Sequence, residues 1–145
     1  MVCPYEPFDK DYKRVFVYSE SGRRPPVIRD IERLAKKDLE SADTLQEMIR
    51  ELEKRSFELL AQNRWRRLSG KCNLELRPLK CKKVLRVLAV GYPPGRFEKF
   101  ILLDLYEAHG GKRQQIDPST LKQANRRARE CLEWLKGEGA LSENH

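Results

Sequence analysis

Two apolar runs, VLRVLAV from Val84 to Val90 and the stretch from Lys99 to Tyr106, stand on either side of Tyr92-Pro93-Pro94-Gly95. No other feature constrains the fold as tightly. Both runs are short, bounded by turn residues and read as strands, and Pro94 and Gly95 suit the central positions of a type II turn. A further strand is predicted just upstream, from Asn73 to Pro78, so the middle of the chain is an antiparallel meander. Within NLELR, strand alternation puts Asn73, Glu75 and Arg77 on one side and Leu74 and Leu76 on the other.

Helical spacing governs most of the remainder. Pro25 and Pro26 open a helix whose apolar positions are Val27, Ile31, Leu34 and Ala35, with proline tolerated in the first turn, and it is expected to reach about Leu39. After a break at Ser41 and Ala42, Thr44 and Glu47 form a capping box for a second helix carrying Leu45, Met48, Ile49, Leu52, Leu59 and Leu60 on one stripe. A strand from Arg14 to Tyr18 precedes this hairpin. Asp117 and Pro118 cap a last helix with Leu121, Ala124, Ala128, Cys131, Leu132 and Leu135 on one side, stopping at Gly137.

The expected fold class is therefore α+β, in the order β-α-α-β-β-β-α. It is a small, mostly antiparallel sheet with a helical hairpin on one face and a C-terminal helix. Residues 1–12 are expected to be a flexible arm, 13–137 a single domain and 138–145 a disordered tail. A chain of 145 residues suits one core, burying about two-thirds of its unfolded surface.

Charge is unevenly distributed. The chain carries a formal +8, yet residues 28 to 58 hold seven basic and nine acidic side chains. Against that, Arg64 to Arg86 packs nine Lys or Arg around the single acid Glu75. Such a local patch points to a polyanionic partner, because phosphate neutralisation supplies most sequence-independent nucleic-acid affinity. Arg64, Arg66, Arg67, Lys71, Lys80, Lys82 and Lys83 are the candidate phosphate contacts in it.

No run is long enough to cross a bilayer and the start lacks the apolar core of a secretory signal, so the expected location is the cytoplasm, with no membrane partner. Cys3, Cys72, Cys81 and Cys131 are scattered without a CxxC, and with two histidines they argue against zinc. Acids near the basic patch are too sparse for a two-metal nuclease, and there is no GxxxxGK[ST] phosphate loop. The expected site uses neither metal nor cofactor.

Arg86 interrupts an apolar strand, where a guanidinium must find compensation. It forms either a structural ion pair, with Asp104 across the hairpin, or an anion site beside Arg77 of the neighbouring strand. A second cluster follows the last strand: Tyr106, Glu107, His109, Gly110, Gly111, Lys112 and Arg113. Its glycines permit close backbone approach to a ligand, and His109 has the pKa range of a general acid or base. Together these groups describe a site in which arginines hold a phosphodiester and stabilise a pentacoordinate transition state.

NLELRPL, VLRVLAV, FILLDLY, GGKR and the closing QANRRARECLEWL resemble the RelE/HigB superfamily of toxins from bacterial toxin–antitoxin pairs, particularly the phage-associated HigB-like branch. The resemblance covers about residues 64 to 136 in motif; the helical hairpin before it matches in order. It implies a small sheet with two helices on one face and an endoribonuclease that cuts messenger RNA, commonly on the ribosome, by attack of a ribose 2′-hydroxyl on its own phosphate. Arg77, Arg86, Lys112 and Arg113 would contact that phosphate, with Arg86 and Arg113 stabilising the transition state. The implied partner is a cognate antitoxin whose acidic segment wraps the basic face.

Some members have lysines where this chain has Asn73 and Glu75, and a last-helix tyrosine where Leu121 stands; GGKRQQ replaces a Lys-Lys-Thr signature. Acid and base therefore stay open among Lys71, His109 and Tyr106. The alternatives are a ParE-like inhibitor of DNA gyrase that cuts nothing, and a passive RNA-binding relative.

Overall fold

The computed structural model describes residues 2–55, 64–78, 84–108 and 116–143. Its elements are β1 (Tyr5–Pro7), β2 (Val15–Tyr18), α1 (Pro26–Lys37), α2 (Leu39–Lys54), β3 (Trp65–Arg67), β4 (Leu74–Leu76), β5 (Val84–Tyr92), β6 (Lys99–Ala108) and α3 (Pro118–Glu143). The architecture is α+β, with, among the described residues, three helices and one mixed sheet of six strands in the order β1-β2-β6-β5-β4-β3. All neighbours are antiparallel except β2 and β6, which run parallel.

The β5–β6 hairpin is the longest ladder, from Tyr92 opposite Lys99 to Val84 opposite Ala108, with an irregularity at Leu88 and Ala89. Gly95 takes φ 79°, the positive value that the third position of a type II turn requires, and the amide of Arg96 closes the turn on the Pro93 carbonyl at 3.2 Å. Where β4 meets β5, the Asn73 side chain extends the ladder by bonding both backbone groups of Gly91.

Helices cover both faces. Val27, Ile31 and Leu34 of α1 and Leu45, Met48, Ile49 and Leu52 of α2 pack on Val15, Val17, Leu74, Leu76, Leu85, Val87 and Leu102. On the opposite face, Ala124, Ala128, Cys131 and Leu135 of α3 meet Tyr18, Leu88, Val90, Ile101 and Leu103. The strands β2, β5 and β6 thus contribute alternate residues to two apolar layers. Glu53, near the end of α2, fixes β2 to the hairpin by accepting the backbone amides of Lys13, Arg14 and Val15.

Several boundaries differ from those predicted. The expected arm contains β1, paired to β2 with Tyr5 opposite Tyr18 and stacked edge-on against Phe16 at 5.4 Å; Pro7 is tolerated because β1 is an edge strand. The basic link contains β3, a second edge strand. The second helix begins at Leu39 rather than at Thr44, because Asp38 caps it, accepting from the Ser41 amide at 3.1 Å and the Ser41 hydroxyl at 2.6 Å. Leu59 and Leu60 lie outside the described residues. The last helix passes both Gly137 and Gly139 and ends at Glu143, inside the expected tail: each glycine costs a helix only about 1 kcal/mol, and Glu138, Ala140 and Leu141 are helix-forming residues. Among the described residues no helix is long and apolar enough to cross a membrane.

Candidate functional site

Glu75 organises the basic patch. Alternation sends Leu74 and Leu76 into the layer under α1 and α2, so Glu75 projects to the other face, where its side chain is wholly buried. Arg77 donates through Nε to Oε1 at 2.9 Å, Arg66 through Nη2 to Oε2 at 3.2 Å, and the Tyr106 hydroxyl to Oε2 at 3.0 Å. Arg86 Nε stands 3.8 Å from Oε1, while its Nη1 donates to the Leu85 carbonyl at 2.8 Å. Four elements converge because Arg66 faces Glu75 across β3 and β4, Glu75 faces Leu88 across β4 and β5, and Arg86 faces Tyr106 across β5 and β6.

Among the described residues, three guanidinium groups surround one carboxylate, a surplus of two positive charges. Arg86 is the most enclosed of the three, its side chain 11% exposed against 30% for Arg77 and 45% for Arg66. Burial, and then the nearby charge of Arg77, lowers the guanidinium pKa of Arg86, although an arginine stays charged at any ordinary pH. Burial and the Glu75 carboxylate together raise the Tyr106 phenol well above its ordinary value, which keeps it a neutral donor. The arrangement can hold an anion through the partly exposed Arg66 and Arg77 while Glu75 fixes their orientation.

Of the two readings open for Arg86, the partner across the hairpin is not Asp104. That carboxylate lies two residues along the same face of β6 and is taken by α3, accepting from Arg127 Nη1 at 2.6 Å and from Gln123 Nε2 at 2.8 Å. Arg127 also donates to the Leu103 carbonyl and lies 5.1 Å from the centre of the Tyr18 ring. Burial raises the Asp104 pKa despite this partner.

The other predicted contacts disperse. Arg64 is engaged by Glu51 of α2 at 2.5 Å. Arg67 lies over the rings of Trp65 and Phe97, at 5.7 and 5.1 Å from their centres, on the α1–α2 side. Lys71 is exposed in the turn between β3 and β4. Lys80, Lys82, Lys83, His109, Lys112 and Arg113 lie outside the described residues; Lys80, Lys82 and Lys83 fall between β4 and β5, His109 follows the last residue of β6, and Lys112 and Arg113 precede α3. Among the described residues no three His, Cys, Asp or Glu side chains are grouped to hold a metal ion.

Sequence reasoning counted Glu75 only as an acid among cations. Its central place could have been read from the alternation that put it beside Arg77, together with the arginine inside the next strand. Against this geometry, no protein-family model, curated protein or solved structure matches the chain.

Proposed function

We propose that this protein is the toxin of a toxin–antitoxin pair, an endoribonuclease of the RelE/HigB kind that cuts messenger RNA, on the ribosome, without a metal ion. The observation that carries the reading is the meeting of Arg66, Arg77 and Arg86 on one buried carboxylate, with cations outnumbering it three to one among the described residues. Two helices on one face of a small sheet support it further.

Attack by a ribose 2′-hydroxyl on the adjacent phosphate builds negative charge on the phosphoryl oxygens. Arg66 and Arg77, held by Glu75 and partly open to solvent, are placed to receive that charge, and preorientation removes the cost of reorganising them during the reaction. Arg86 sets the field from below. Tyr106, kept protonated, donates its one proton to Glu75 and so helps fix the carboxylate that orients the arginines. The 2′-oxygen–phosphorus bond forms as the bond to the 5′ oxygen breaks, the 2′-hydroxyl gives its proton to water and the leaving oxygen takes one from water, so that cyclic phosphate and 5′-hydroxyl ends result. An acidic antitoxin segment that covers the cluster blocks RNA by the same charges that attract it.

Glu75 also gives one observation for a second reading. It absorbs donors of two arginines and of Tyr106, which suits a rigid binding surface that cuts nothing, as in a ParE-like inhibitor of DNA gyrase. Induction in a bacterial host separates the two. The first gives new messenger RNA ends that vanish in an Arg77→Ala, Arg86→Ala variant; the second gives growth arrest without new ends and inhibits plasmid relaxation by gyrase.

A further inference from the structure

Two free thiols, Cys3 and Cys131, share the apolar layer under α3, Cys131 buried within it and Cys3 half-buried and packed against it. The neighbouring elements bring them together. Tyr5 pairs with Tyr18 across β1 and β2, and the Tyr18 hydroxyl donates to Glu130 of α3 at 2.5 Å. From Asn125, which holds the Cys72 amide beside β4, α3 crosses to Arg127 over the Tyr18 ring of β2, so Cys131, one turn further on, lies toward β1. Cys3, two residues before Tyr5, lines one open pocket together with Tyr18, Arg126 and Glu130, the neighbour of Cys131. Burial, then Glu130 and then Cys3, push the Cys131 thiol up to about 12, so a charge at Cys3 is felt at Cys131.

No other described cysteine competes. Cys72 adjoins β4, four strand spacings or roughly 19 Å from β1, and its thiol donates to the Leu74 and Ala89 carbonyls. A disulfide needs Cα atoms within about 7 Å. Cys81 lies outside the described residues.

We propose that Cys3 and Cys131 form a reversible disulfide when the chain meets a hydroperoxide, clasping the edge strand β1 to α3. Cys3, reached through the pocket, attacks the peroxide as its thiolate and becomes a sulfenic acid as hydroxide leaves. The Cys131 thiolate then attacks that sulfur and expels its oxygen as a second hydroxide, and the two thiol protons convert both hydroxides to water. Two electrons pass from the thiols to the peroxide. The bridge closes almost the whole chain into one loop, which restricts the unfolded state and raises stability.

The test treats the folded, full-length Cys81→Ser chain with hydrogen peroxide, then blocks remaining thiols in denaturant and maps the peptides by mass spectrometry, beside the same chain carrying Cys3→Ser. The expected result is a Cys3–Cys131 peptide pair lighter by two hydrogens, released by dithiothreitol, with a melting temperature about 10 °C above that of the reduced chain and no rise in Cys3→Ser. A chain left with both thiols blocked, a Cys3 oxidised to its sulfinic acid beside an alkylated Cys131, or a bridge to Cys72 overturns the pairing. An equal rise in Cys3→Ser, or a bridge without any rise, overturns the clasp.

Discussion

Replacing Glu75 by Gln removes the one carboxylate at the centre of three guanidinium groups while keeping its volume. Breaking a buried ion pair by deleting one partner typically costs 3–5 kcal/mol, most of it the uncompensated charge left behind. The low end applies here, because Arg66 and Arg77 are 45% and 30% exposed and can recover hydration, whereas Arg86 at 11% cannot. The expected loss is about 3 kcal/mol, or roughly 6–12 °C in melting temperature for a domain of this size. Denaturant unfolding measures it, with the slope unchanged. The cause is isolated by a cycle: in an Arg86→Met background, where the least hydrated cation is gone, Glu75→Gln should cost under about 1 kcal/mol. An equal loss in both backgrounds would refute the claim that Arg86 is what Glu75 stabilises.

Gly70→Ala places a methyl 2.6 Å from Asn125 Oδ1, the acceptor of the Cys72 amide; displacement of that side chain should cost about 1–3 kcal/mol in denaturant unfolding, and a neutral result would show that the contact is dispensable. Burial pushes the thiols of Cys72 and Cys131 up to about 12, so alkylation at pH 8.5 followed by peptide mapping should leave both unmodified until the chain is unfolded. Tyr18 and Tyr106 have phenols raised above the ordinary value of about 10. The folded state therefore keeps protons that the unfolded state releases: stability is full below pH 10 and falls as pH rises above it. Replacing both tyrosines by Phe should flatten that decline, and an undiminished slope would assign it elsewhere.

Much of the fold was legible in the sequence, for reasons that differ by element. The strands at Val15–Tyr18, Leu74–Leu76, Val84–Tyr92 and Lys99–Ala108 carry either strict alternation or long apolar runs, and helical spacing marked α1, α2 and α3. The strands β1 and β3 were not legible: three residues each, YEP and WRR, they show no period and form only because a neighbouring strand offers an unpaired edge. The start of α2 was misplaced because two caps compete within six residues; Asp38 prevails, while the Thr44 hydroxyl bonds back to the Glu40 carbonyl inside the helix.

At the site, the phase of NLELR put Glu75 on the side of Arg77, where the two pair, whereas the ion-pair reading of Arg86 named Asp104 and the carboxylate beside it is Glu75. What escaped was long-range. Arg127 of α3 claims Asp104 from a distance of 23 residues, and with that acid taken, the carboxylate left to Arg86 is on β4. A sequence also gives no sign that both faces of the sheet are covered, which is why a basic surface was expected around a residue that is in fact wholly buried.

The central claim is that the arginines gathered on Glu75 act on RNA. Its most direct measurement is primer-extension mapping of messenger RNA ends after induction of wild type and of the Arg77→Ala, Arg86→Ala variant in a bacterial host. New ends spaced by the reading frame, present with wild type and reduced about a hundredfold or more in the variant, are the predicted result. Growth arrest with no new ends, or cleavage that persists in the variant, would contradict it.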